Sequence, residues 1–194
     1  MKKAFILFIT MFYFLQVFGQ FQLGYKLGLN ISTIKNAVSG DKYNPHVSIN
    51  TGLVADYEIN KKCFLQAEVL VSKKGFSNLL IPSGTTAHQL NYISVPVLFG
   101  YSPFKKTSLL IGPEFNYLIS AYSKAGSAKT NETDSFQKFD IGLDAGVSYN
   151  FYKVLSLELM YNYGLSKIIK QIPNSGYPGS GSNRVFQINL AYKF

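Results

Sequence analysis

The chain has 194 residues, 19 Lys and Arg against 10 Asp and Glu, a formal net charge of +9, 15% aromatics and no Trp. A single cysteine, Cys63, excludes an internal disulfide framework. No apolar run of about 18 residues follows the first twenty, which excludes a transmembrane helix in the body of the chain. A basic chain this rich in aromatics, with mean hydropathy near zero, suits a molecule with one apolar and one polar face.

The first residues read as a processing signal. Lys2 and Lys3 form a positive start, and Ala4 to Phe14 are almost all apolar, too short a run to span a bilayer. Val17 and Gly19 suit the −3 and −1 positions of a cleavage site. Residues 1–19 are therefore expected to be a cleaved signal peptide, with one domain over 20–194. Losing Lys2 and Lys3 lowers the net charge from +9 to +7.

From there the dominant pattern is alternation of period two, the signature of a strand with one apolar face. In 21–32, Phe21, Leu23, Tyr25, Leu27, Leu29 and Ile31 oppose Gln22, Gly24, Lys26, Gly28, Asn30 and Ser32. In 46–59, Val47, Ile49, Leu53, Ala55, Tyr57 and Ile59 oppose His46, Ser48, Asn50, Gly52, Asp56 and Glu58. In 63–73, Leu65, Ala67, Val69 and Val71 oppose Gln66, Glu68 and Ser72. Segment 89–101 is more continuously apolar and is interrupted by Pro96. In 107–120, Leu109, Ile111, Phe115, Tyr117 and Ile119 oppose Ser108, Gly112, Glu114 and Asn116. Segments 138–149, 154–167 and 184–194 repeat the pattern, with Asp140, Asp144, Glu158 and Lys193 on their polar faces. Eight strands result.

The connections alternate in length. Long polar segments, 33–45, 74–88, 121–137 and 168–183, alternate with the short turns Asn60–Lys62, Ser102–Lys106 and Asn150–Lys153. Short periplasmic turns and long external loops are the pattern of outer-membrane barrels. Phe21, Tyr57, Phe64, Tyr101, Phe104, Phe151, Tyr152, Tyr192 and Phe194 gather on the short-turn side and suit an interfacial girdle.

The polar face carries Gly24, Gly28, Gly52, Gly112, Gly142, Gly146 and Gly164. Glycine weakens a solvated strand. In a narrow lumen it makes room for long neighbours. The polar face is thus expected inside and the aliphatic face against lipid. The fold class expected is all-β, an eight-stranded antiparallel up-and-down transmembrane β-barrel.

Several motifs resemble those of the PorT-like outer-membrane β-barrel family of diderm bacteria, whose barrels are of the eight-stranded OmpA type. They are Gly24-Tyr-Lys26-Leu-Gly28-Leu-Asn30, Ser72-Lys-Lys-Gly75, Leu90-Asn-Tyr-Ile-Ser-Val-Pro96, Gly112-Pro113, Phe139-Asp-Ile-Gly142, Tyr161-Asn-Tyr-Gly-Leu165 and Ala191-Tyr-Lys-Phe194. The resemblance implies an eight-stranded barrel in the outer membrane. One member of that family takes part in protein secretion across the outer membrane and most have no assigned activity, so a structural or partner-binding role, with a link to secretion open, is what the resemblance implies. It implies no catalytic residues. Phe194, preceded by alternating apolar residues, looks like the signal read by the barrel-assembly machinery.

A polar network is expected to fill the lumen: Lys26, Asp56, Glu58, Glu68, Glu114, Asp140, Asp144, Glu158 and Lys193. Its carboxylates outnumber its lysines. Either some carboxylates hold protons, or Arg184 and loop lysines reach in. His46 and His88 lie near the external mouth, where Asp41 or Glu132 offers a third metal ligand, but no zinc or calcium spacing is present. His46, Ser48 and Asp41 match by type a lipid acyltransferase at a barrel mouth. Cys63 reads as a buried or lipid-facing thiol, and Gly179-Ser-Gly181 lacks the context of a phosphate loop. No catalytic residue, cofactor or metal is expected.

Lys35, Lys42, Lys73, Lys74, Lys124, Lys129, Lys138, Lys167, Lys170 and Arg184 are expected to ring the external side, within reach of lipopolysaccharide phosphates. The expected partners are outer-membrane lipid and lipopolysaccharide, the assembly machinery, and a protein met through the external loops. Nucleic acid is excluded, since no basic patch with stacking aromatics sits on a soluble domain. The leading role is a structural or partner-binding barrel, and the alternatives are a barrel-mouth lipid-modifying enzyme and a small pore.

Overall fold

The computed structural model describes residues 21–35, 43–80, 84–170 and 180–194. The signal peptide expected over 1–19 lies outside these residues, as do Asp41 and Lys42. The strands are β1 (Phe21–Lys35), β2 (Tyr43–Glu58), β3 (Cys63–Leu80), β4 (Gly84–Phe104), β5 (Thr107–Ala125), β6 (Ala128–Asn131), β7 (Phe139–Tyr152), β8 (Leu155–Gly164) and β9 (Ser182–Lys193). Their order is β4-β3-β2-β1-β9-β8-β7-β5, and β4 pairs with β5 to close the ring. All these pairings are antiparallel. Eight strands form a closed barrel, and short β6 extends β5 as a hairpin arm.

Alternation decides the faces. Lys26 is 2% exposed and its neighbour Leu27 is 58% exposed. The same reversal runs round the ring, with Asn50, Gln66, Ser94, Glu114, Asp144, Glu158 and Asn189 buried and Leu53, Leu65, Val97, Phe115, Leu143, Leu157 and Leu190 outward. The apolar outer surface is the one that meets hydrocarbon. Pro96 has no N–H to give, and the β3–β4 ladder is interrupted between Ala67/Val97 and Leu70/Ser94.

Two long connections carry more strand than their polarity suggests. Residues 74–88 were expected to be a loop, but β3 runs on to Leu80 and β4 starts at Gly84. The inward series Ser72, Lys74 and Phe76 simply continues the period, and all three are buried. In 121–137, β5 continues to Ala125 and turns through Gly126, at φ 59, into β6. The pairing with β4 shifts by one residue between Asn91/Ser120 and Tyr92/Leu118. Ile119 is the extra residue. Beyond it the odd positions Ala121 and Ser123 point inward and are buried.

Apolar side chains pack together inside the external end. A 3-10 turn at Thr133–Ser135 lets Phe136 drop inward beside Ile34, Phe76, Leu90, Tyr92, Leu118, Ala121 and Ile168. Phe136 bridges Ile169, Gln137 N donates to Ile168 O at 2.7 Å, and Lys170 N donates to Ser135 O at 2.9 Å. Ile168 N and Ile169 N donate to Gly181 O and Ser180 O at 2.8 and 3.0 Å. Two segments distant in sequence thus form one apolar cap. A second, smaller cluster, Leu98, Leu110 and Met160 with Phe64, fills the lumen toward the other end. Phe64 was expected in the outer girdle. Its ring instead points inward, over the space that Gly100 leaves free.

The lumen glycines do two different jobs. Gly28 and Gly142 make room for the Asn189 and Asn162 side chains, as the narrow-lumen argument expects, and Gly146 lies against both the Leu159 carbonyl and the Met160 sulfur. At Gly24, Gly52 and Gly112 a Cβ would strike the neighbouring strand's backbone, at Tyr192 O, Val69 O and Val97 O. There the glycine permits the close approach of strands in a strongly coiled barrel. Gly52→Val is therefore expected to block closure. The folded wild type should migrate faster on a detergent gel before heating than after, and the variant should show only the unfolded band.

Candidate functional site

The lumen holds two charge clusters separated by a layer of amides. In the half nearer the short turns, the Lys26 ammonium lies between Glu68 and Glu158, 2.5 Å from Glu158 Oε2. Gln66 Nε2 donates to Glu68 Oε1 at 2.6 Å, and the Lys193 ammonium pairs with Asp56. These residues come from β1, β2, β3, β8 and β9, which the closed ring brings together. In the outer half, Lys74 Nζ lies 2.6 Å from Glu114 Oε1 and 3.1 Å from Asn116 Oδ1. Between the clusters, Asn50 Nδ2 donates to Asn30 Oδ1 at 2.7 Å and to Asn189 Oδ1 at 3.0 Å.

Of the nine residues expected in this network, Lys26, Asp56, Glu68, Glu114, Asp140, Asp144 and Glu158 are buried, and Lys193 is half-buried. Glu58 is not among them. It is exposed, because β2 ends there and its side chain reaches the rim rather than the interior. Lys74 was placed on the external ring and is instead fully buried, paired to Glu114. Parity was the available signal, since Lys74 continues the inward series of β3. Arg184 does not enter the lumen. It lies over the outward-facing Tyr163 ring at 3.6 Å and donates to Gly164 O, Asn183 O and Ser182 Oγ.

Six buried carboxylates thus face three ammonium groups. Amides supply some of the further donors, while Asp56 Oδ1, Glu114 Oε2 and Asp140 Oδ1 accept no hydrogen bond among the described residues. Asn162 Nδ2 serves both Asp144 Oδ1 at 2.6 Å and Glu114 Oε1 at 3.0 Å. Asn116 Nδ2 serves Glu114 at 2.8 Å, and Asn183 Nδ2 serves Asp140 Oδ2 at 2.8 Å. Buried carboxylates need such donors on each oxygen they can reach.

Of the residues expected at the mouth, Asp41 lies outside the described residues. His88 Nδ1 sits 2.9 Å from Glu132 Oε2, and the His88 ring stacks on Phe76 at 4.7 Å. Ser48 Oγ donates to Lys73 O at 2.6 Å, so its proton is directed at a carbonyl rather than at a base. Among the described residues no three His, Cys, Asp or Glu side chains converge as metal ligands. Cys63 is half-buried beside the β2–β3 turn. At the other end of the barrel a cavity of about 150 Å³ opens between the short turns, lined by Asp56, Glu58, Lys61, Lys62, Lys153 and Lys193 among others.

Buried pairs are tested by breaking them one partner at a time. Glu114→Gln strands the Lys74 ammonium and is expected to cost about 3–5 kcal/mol. Adding Lys74→Met should recover most of that loss. A double-mutant cycle from urea unfolding in lipid vesicles checks both.

The comparisons with known proteins agree with this geometry. Residues 14–170 match the family model described as "Outer membrane protein beta-barrel domain". Among solved structures, the attachment invasion locus protein Ail of Yersinia pestis is 16% identical, with a TM-score of 0.54 over 89% of this chain and 98% of that one. Neisserial surface protein A is 14% identical, with a TM-score of 0.58 over 89% and 97%. OprG of Pseudomonas aeruginosa is 13% identical, with a TM-score of 0.50 over 90% and 95%. These likenesses concern the fold. A search among curated proteins found no match. With a closed eight-stranded ring, an apolar outer wall and a family match over most of its length, the chain belongs to the outer membrane protein beta-barrel domain family of bacterial outer membranes.

Proposed function

We propose that the protein is a non-conducting barrel that anchors partner-binding hairpins at the cell surface, in a PorT-like role linked to protein secretion. The filled lumen carries this reading. Ion pairs and amides occupy the interior, and an apolar cap covers its external end. Eight strands leave room for side chains and little else. Above the apolar wall, the β3–β4 hairpin and the β5–β6 arm continue as paired strands, giving ordered edges to bind. Lys129 over the Tyr122 ring at 3.9 Å stiffens the arm. Lys35, Lys138 and Lys167 are exposed at the top of the apolar wall, at the level suited to lipopolysaccharide phosphates. Phe194, packed near Tyr25 and Tyr192, is the expected contact of the assembly machinery.

Purified protein in planar bilayers is expected to give no stable unit conductance, and regular current steps would overturn the sealed-barrel reading. A photo-crosslinker at Ser127, on the β5–β6 turn, should trap one discrete protein in cells. A deletion strain should lose specific secreted proteins, and an unchanged secretome would remove the secretion role while leaving the barrel intact.

A further inference from the structure

The short-turn rim is a second polar surface, and its turns are rich in lysine. The turns read Asn60-Lys-Lys-Cys63, Ser102-Pro-Phe-Lys-Lys-Thr107 and Asn150-Phe-Tyr-Lys153. They hold Lys61, Lys62, Lys105, Lys106 and Lys153 and no acidic residue. Glu58 is exposed and lines the cavity that Lys61, Lys62 and Lys153 also line. No ion pair involves any of the five lysines among the described residues. The turns are also fixed to one another. Ser102 N donates to Lys62 O at 2.7 Å and Asn150 N donates to Lys106 O at 2.8 Å, so three turns from separate hairpins form one continuous edge.

Between the second and third turns a depression is lined by Lys105, Lys106, Asn150, Phe151, Tyr152 and Lys153. Its neighbour joins Lys61 and Lys62 to Phe104 and Lys105. Tyr152 and Phe104 are 70% and 72% exposed, directly beside the ammonium groups. Exposed aromatics mark the depth where hydrocarbon gives way to headgroups. Unpaired lysines at that depth face phosphates. A soluble acidic protein would use the lysines and leave the aromatic rings unmatched.

We propose that this rim is a binding site for anionic phospholipids of the periplasmic leaflet, centred on Lys105, Lys106 and Lys153. The ammonium groups meet the headgroup phosphates, and Phe104 and Tyr152 pack along the first acyl carbons. The backbone ties between turns preset the spacing of the charges, so little order is lost on binding. A lipid with two phosphates can meet two of these lysines at once.

The full chain, reconstituted in nanodiscs of phosphatidylcholine and cardiolipin in equal amounts, tests this by native mass spectrometry of retained lipid. Cardiolipin should dominate the adducts of the wild type. Each lysine changed to Gln at 105, 106 or 153 should cost about fivefold in retention, the equivalent of ~1 kcal/mol per surface lysine. Single variants keep the test valid if the triple variant folds poorly, and gel mobility before and after heating reports folding for each. K124Q/K129Q, on the external arm, should retain cardiolipin like the wild type. Equal retention of both lipids overturns the proposal, as does undiminished cardiolipin on K105Q/K106Q/K153Q. Displacement of the lipid by soluble polyphosphate at matched charge would overturn the lipid assignment in favour of a soluble polyanion.

Discussion

A strand edge inside hydrocarbon has no water to satisfy its N–H and C=O groups. The ladder between β1 and β9, from Gly24/Lys193 to Lys35/Ser182, removes that edge. Everything else in the molecule follows from closing the ring at eight strands. Closure makes one face continuous with lipid and the other a confined interior. It also forces the tight strand approaches that Gly52 and Gly112 allow.

Within that interior no group can turn elsewhere for a partner. Lysines from β1, β3 and β9 therefore meet carboxylates from β2, β3, β5 and β8. Asn116 and Asn162 donate to Glu114 beside its lysine, and Asn162 and Asn183 donate to Asp144 and Asp140, which no lysine pairs with among the described residues. Buried ion pairs are weak sources of net stability, because desolvation offsets their attraction. Their value here is in matching each strand to its neighbours, since a misregistered strand would leave a charge unpaired. The cap then fills the external end mostly with aliphatic and aromatic side chains, Tyr92 being the buried member that carries a polar atom.

Period two made most of this legible in the sequence. The eight strands, the inward polar face and most lumen residues follow from counting every second position. Lys74 escaped because its segment was read as loop from its polarity, though its parity matched Ser72. Glu58 failed for the opposite reason, as parity says nothing of where a strand leaves the wall. Phe64 was assigned by residue type, when its even number already placed it with Gln66 and Glu68. The cap was beyond any local pattern. Phe136 and Ile168 meet across 32 residues of chain, and only the folded ring brings their loops together.

The bulge at Ile119 has a bearing on how such a chain can change over time. Below it, a single inserted residue would exchange the lipid and lumen sets along the rest of the strand, burying leucines in place of ions. The wall should therefore gain or lose residues in pairs, keeping each strand in phase with its neighbours. Beyond Ile119 the strand has already changed phase and runs on to the hairpin turn at Gly126. Length there is free to drift one residue at a time. The fold thus confines its own variation to the surface-facing hairpins, and a lineage can refashion what it displays outside without disturbing how it stands in the membrane.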